Sequence, residues 1–75
     1  GYVLTPLVEA QIPDQMKTHN MDRDTVVREV MLARQPSGQF ATSAQIGGTA
    51  VFLSTGAADQ ITGTTISVDG GWTAL

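Results

Sequence analysis

One histidine, seven acidic residues and no cysteine are all that the 75-residue sequence offers for acid–base, metal or thiolate chemistry. His19 stands between Thr18 and Asn20 in a polar stretch, the setting of a solvated surface imidazole rather than of a ligand or a base. Glu9, Asp14, Asp22, Asp24 and Glu29 fall at helix starts or on polar faces, where capping and the helix dipole account for them, and no two form a paired-carboxylate site. Ser37, Ser43, Ser54 and Ser67 lack the G-x-S-x-G context of a nucleophile elbow, so a triad built on a single histidine is not expected. Without cysteine there is neither a disulfide nor a thiolate metal site, and no metal is expected. The stretch TGAADQITG lacks the repeated glycines of a dinucleotide fingerprint and precedes a strand where that fingerprint follows one.

Two places remain. In GYVLTP, Gly1 allows close backbone approach, Val3 and Leu4 offer an apolar wall, and the Thr5 hydroxyl sits beside free N–H groups at a helix start, which suits an amide or phosphate oxygen. The same letters also make a plain turn followed by an N-cap. In DGGWTAL, Trp72 follows two glycines and reads as a packing anchor. Gln11 reads by pattern as a solvated helix residue.

The elements that must position these residues follow from local signals. Thr5-Pro6 starts a helix over residues 6–11, because the hydroxyl caps free N–H groups and proline at the first position loses a donor that had no partner. Pro13 is expected to interrupt it, with another turn or two before Asn20. Asp22 caps a second helix carrying Val26, Val27, Val30 and Met31, which should stop near Arg34, ahead of Pro36 and Gly38. Thr42 and Gln45 form a capping box for a helix over 43–54 with Ile46, Ala50 and Leu53 on one face. Gly47 and Gly48 inside it cost about 1 kcal/mol each relative to alanine, so something is expected to pack close to that backbone. Residues 55–63 read as a loop and 64–68 as a strand, ended by Asp69-Gly70-Gly71.

A single strand has no ladder partner, and unpaired backbone groups are costly to bury. The strand is therefore expected to complete a sheet supplied elsewhere, making the chain the C-terminal part of a larger α/β domain. A helical module that lends its strand to another protein is the rival reading. The net charge of −3 excludes the basic footprint of a nucleic-acid binder. The longest apolar runs, such as TAVFL, are far short of the roughly 20 residues of a membrane span, so no membrane partner is expected. A cytoplasmic location is expected, and the absence of an initiator methionine suggests a processed or truncated start.

Taken together, GYVLTP, REVML, QIGGTAVFLS and ITGTTISVDGGWTA resemble the C-terminal portion of the short-chain dehydrogenase/reductases, and within them the branch acting on (R)-3-hydroxybutyrate. The resemblance covers essentially the whole chain. It implies a doubly wound parallel-sheet Rossmann domain, of which residues 5–40 would be a substrate lid and 41–75 a helix, the last strand and the C-terminal tail. It implies NAD as cofactor, although the acidic residue that would select NAD over NADP lies outside these residues. On this basis the Val3 backbone and the Thr5 hydroxyl would hold the nicotinamide carboxamide and a nearby phosphate, with Gly1 and Tyr2 walling the ring. Gln11 would bond the carboxylate of a small hydroxy acid, and Trp72 would lie near that acid. The family's catalytic serine, tyrosine and lysine are absent: Tyr2 is followed four positions later by Pro6, so the chain alone is expected to be inactive. The partners implied are the remainder of the dehydrogenase chain and further copies in a homotetramer, with residues 43–54 and 64–68 at the subunit contacts and Gly47 and Gly48 explained by them. Gly38 stands where many relatives carry a basic residue, which would loosen the lid or alter its closure. A relative acting on another hydroxy or keto substrate is the alternative.

Overall fold

A computed structural model describes residues 1–74. Helix α1 (Pro6–His19) begins as its sequence dictates, with Pro6 at its start and the Thr5 hydroxyl accepting a hydrogen bond from the Val8 amide at 3.4 Å. It ends at Asn20, whose φ of 52° is left-handed. The Asn20 amide donates to Lys17 and the Met21 amide to Met16, the paired bonds of a Schellman stop.

The expected break at Pro13 does not occur, and α1 runs through it as one helix. Proline inside a helix removes one hydrogen bond and crowds the preceding turn, at a cost of about 3 kcal/mol. Two residues near Pro13 offset that cost: Ile12 is fully buried, and Met16 packs against the same core.

Helix α2 (Arg23–Val26) is capped by the Asp22 carboxylate, which accepts from the Thr25 amide at 2.8 Å. The expected α-helix to Arg34 is corrected in two respects. The chain widens into a π-turn over Val27–Met31, closed by the Leu32 amide donating to the Val27 carbonyl at 2.8 Å, and regular winding stops there. An i→i+5 bond carries more residues per turn, so Val26 and Met31, five apart, both face the interior. Ile12, Val26 and Met31 form the core between α1 and the α2–π segment, with Leu4, Val8, Met21 and Phe40 around it. One exposed ion pair, Arg23 to Glu9 at 2.6 Å, ties the two helices at the surface and adds little to their stability.

Helix α3 (Ser43–Leu53) carries the full capping box, Gln45 amide to Thr42 hydroxyl at 3.1 Å and Thr42 amide to Gln45 side chain at 2.9 Å. None of its residues is buried, and Val51 is 68% exposed. The close packing expected at Gly47 and Gly48 is not made within this chain, since a methyl group at either would meet nothing within 4 Å. A short 3-10 turn, Gly56–Ala58, follows in the predicted loop.

The strand expected over 64–68 forms no ladder. Among the described residues the only β-pairing is a parallel bridge between Val3 and Ala41, and none of them presents a second edge to residues 64–68. The radius of gyration is 15.2 Å, against about 11 Å for a compact domain of this length. The accessible surface of 5307 Å² likewise exceeds the roughly 4,400 Å² of a folded monomer of 7.9 kDa. Helix α3 has no buried residue, whereas the α1 and α2–π pair has a core of its own.

That division gives a direct test. In the 75-residue chain, Ile12→Ala should cost about 2–5 kcal/mol and remove most of the helical signal in far-ultraviolet circular dichroism, whereas Phe52→Ala, on exposed α3, should leave that signal within experimental error. Equal losses from both would contradict a core confined to the first helices.

Candidate functional site

The polar centre of the molecule is Gln35, just after the π-turn and only 3% exposed. Its Oε1 accepts from the Tyr2 amide at 3.2 Å and its Nε2 donates to the Gln39 carbonyl at 2.5 Å. The amide is also wedged between two glycines. A Cβ at Gly1 would stand 2.8 Å from Oε1, and one at Gly70 would stand 2.6 Å from Nε2. Gly70 has φ of 61°, so glycine there serves both the turn and the approach of the side chain. The Gly70 carbonyl accepts from the Ser37 amide at 2.9 Å. Three segments distant in sequence, around residues 2, 37 and 70, thus meet at one side chain.

Aromatic rings extend this junction. Tyr2 meets Phe40 and Trp72 edge to face, each at 6.3 Å between ring centres. The Arg34 guanidinium stands 5.6 Å from the centre of the Trp72 ring, a cation–π contact. The turn carrying Trp72 is held by Asp69, whose carboxylate accepts from the Gly71 amide at 3.0 Å, the Thr73 amide at 3.1 Å and the Thr73 hydroxyl at 2.7 Å. The Thr73 hydroxyl first, then the Thr73 and Gly71 amides, hold the Asp69 carboxyl below the usual aspartate range, against an opposing desolvation.

The opening turn has its own geometry. In the parallel bridge the Ala41 amide donates to Tyr2 at 3.0 Å and the Leu4 amide donates to Ala41 at 2.9 Å. The bonds fall on the neighbours of Val3, so the Val3 N–H and C=O face the other way and enter no hydrogen bond among the described residues. Thr5 follows at the start of α1.

Of the residues singled out in the sequence, Gly1, Tyr2 and Trp72 come together at the Gln35 junction, and Val3 and Thr5 adjoin it along the chain. Gln11 does not join them: it is exposed on α1. A groove of about 680 Å³ opens between α3 and the C-terminal turn, lined by Gln35, Phe40, Gln45, Phe52 and Asp69 among others, and it includes neither Thr5 nor Gln11. Gln35, Arg34 and Phe40 are the members that pattern reading passes over, since a glutamine before a proline signals only a helix end. Gly38, with φ of 65° and its amide on the Gln35 carbonyl at 2.9 Å, closes the turn after Gln35 in a conformation that glycine favours. No group of three or more histidine or acidic residues able to hold a metal occurs among the described residues. No described helix is long and apolar enough to cross a membrane.

The family model described as enoyl-(acyl carrier protein) reductase, one of the short-chain dehydrogenase/reductases, matches residues 7–73. The chain belongs to the short-chain dehydrogenase/reductase family. Over 74 residues it is 54% identical to the D-beta-hydroxybutyrate dehydrogenase of Rhizobium meliloti (strain 1021), covering 99% of this chain and 29% of that protein. It is 45% identical over the same length to the protein of that name from Cupriavidus necator, again covering 99% of this chain and 29% of the relative. A 2-dehydro-3-deoxy-D-gluconate 5-dehydrogenase from Bacillus subtilis (strain 168) is 43% identical over 68 residues, 87% of this chain and 27% of its own length. The chain therefore spans less than a third of the length of the curated relatives it matches. Members of this family have a Rossmann domain and generally use a nicotinamide cofactor. Within that domain the described residues supply helices and one bridge.

The Asp69 turn carries a pH prediction. A carboxyl whose pKa is lower folded than unfolded binds fewer protons when folded. Its contribution is complete above the ordinary aspartate value of about 3.9 and is lost as pH falls through the lower folded value. Fluorescence of Trp72, the single tryptophan of the chain, should hold a constant emission maximum from neutral pH down to about 5 and shift to the red below about 4. In Asp69→Ala the emission should be red-shifted throughout, with no acid step. An acid step that survives the substitution would assign it to another group.

Proposed function

We propose that these residues are the C-terminal part of an NAD-dependent dehydrogenase that interconverts (R)-3-hydroxybutyrate and acetoacetate. In this reading they supply the nicotinamide-side turn, a helical lid and a subunit interface. The observation that carries the cofactor reading is the Val3 backbone pair. One N–H donor and one C=O acceptor, left open side by side by the parallel bridge, match the acceptor and donor of a carboxamide. Thr5 lies two residues on, and its hydroxyl takes only a long 3.4 Å bond from Val8, which leaves its own proton free to donate to a phosphate or amide oxygen at the start of α1. Gly1 and Tyr2 complete that wall, with Tyr2 steadied by Phe40 and Trp72.

When bound, the nicotinamide supplies hydride acceptance from the carbon that bears the hydroxyl. The chain's own residues bind, orient and exclude water. Residues 5–40 hold the α1 and α2–π core, the Val3–Ala41 bridge pairs the chain on either side of them, and Gln35 ties them to Tyr2, which suits a lid that closes over a small substrate. Gln11, exposed on α1, would present its amide N–H groups to the substrate carboxylate, and Trp72 would border the same acid. The acid–base step belongs to residues outside this chain, since its only tyrosine, Tyr2, has no lysine four positions later.

The substrate reading rests on the likeness to the two proteins named D-beta-hydroxybutyrate dehydrogenase. The assembly reading, a homotetramer, rests on α3, whose Ile46, Val51 and Phe52 are exposed and whose glycines stand open to a close neighbour.

Gln11→Ala in the full-length enzyme tests the substrate assignment. Loss of a hydrogen bond to a carboxylate should raise KM for 3-hydroxybutyrate by about tenfold or more, with KM for NAD within about twofold of the parent. An unchanged KM, or a parent enzyme that prefers a keto-deoxy sugar acid, would refute the hydroxybutyrate reading while leaving the dehydrogenase reading in place.

A further inference from the structure

We propose that Gln35 is a positioning residue for the cofactor, acting through the Tyr2 amide on the Val3 backbone; this rests on the dehydrogenase reading above. Three observations converge on it. Gln35 is the one buried polar side chain among the described residues, and both ends of its amide are bonded. The Tyr2 amide that it holds belongs to the Gly1–Tyr2 peptide, next to the Tyr2–Val3 peptide that carries the open Val3 N–H, so the Gln35 bond fixes the chain on one side of Tyr2 while the Ala41 amide holds the Tyr2 carbonyl on the other. The amide has no room to rotate, because Gly1 and Gly70 approach it closely from two sides.

The two bonds have separable roles. The Nε2 bond to the Gln39 carbonyl closes the 35–39 turn and is local. The Oε1 bond to Tyr2 spans 33 residues and is the one that reaches the cofactor turn. Glutamate at this position keeps an acceptor for Tyr2 and loses the amide donor to Gln39. Methionine, of similar length, loses both.

The test uses the full-length enzyme with Gln35→Glu and Gln35→Met, measuring NAD affinity by direct titration and stability by thermal melting. Gln35→Met should weaken NAD binding by about tenfold, whereas Gln35→Glu should stay within about threefold of the parent even though its melting temperature falls at least as far. An affinity that simply follows melting temperature in both variants, or that changes in neither, would overturn the assignment. Hydrogen exchange at the Tyr2 amide of the unmodified enzyme gives an answer that needs no variant. The amide should be protected without NAD and more strongly protected with it, and free exchange in both states would overturn the proposal. A parent enzyme that binds no NAD would instead overturn the functional reading on which it rests.

Discussion

A single buried carboxamide organises this chain. Gln35 is uncharged, so it can be sealed from water without the desolvation cost of an ion, yet it has a donor and an acceptor that must both be satisfied once buried. It meets that demand only where the chain brings an amide from residue 2 and a carbonyl from residue 39 to it. The glycines at 1 and 70 follow from the same constraint, since a side chain at either would occupy space the amide already fills. No buried side-chain polar atom among the described residues lacks a partner, so the arrangement is satisfied in full.

Around that junction the molecule divides by how each part obtains its stability. The α1 and α2–π pair owns a core, and there burial overrides local preference. Ile12 and Met16 hold α1 together through Pro13, and the π-turn directs both Val26 and Met31 inward. Helix α3 has the better-capped start and no core at all. Its large apolar residues, Val51 and Phe52 among them, are exposed. Capping fixes where such a helix begins, and only a neighbour can hold its face.

The aromatic contacts connect the two ends of the chain. Tyr2 stands between Phe40 and Trp72, and Arg34 lies over the outer ring. Their energies are individually about 0.5–1.5 kcal/mol, less than a buried methylene-rich side chain supplies. Their effect is on orientation. They hold the opening turn against the tail while the parallel bridge leaves the Val3 peptide groups turned outward.

Local chemistry was legible in the sequence wherever the interacting groups are near neighbours. The Thr5-Pro6 start, the Asn20 stop, the Asp22 cap and the Thr42–Gln45 box each involve residues no more than five apart, and each formed as its letters indicate. The motifs also sufficed to identify the family, because they span nearly the whole chain. What only the tertiary structure decided depends on groups distant in sequence: the continuity of α1 through Pro13, the widening at Val27–Met31, and the meeting of Tyr2, Gln35, Gly70 and Trp72. The residues at 64–68 show the same division, since β-branched letters favour an extended chain, but a strand is defined by a partner and none is present among the described residues. A cap is closed by its own neighbours in the chain, whereas burial, bridging and pairing are relations between segments that only folding brings together.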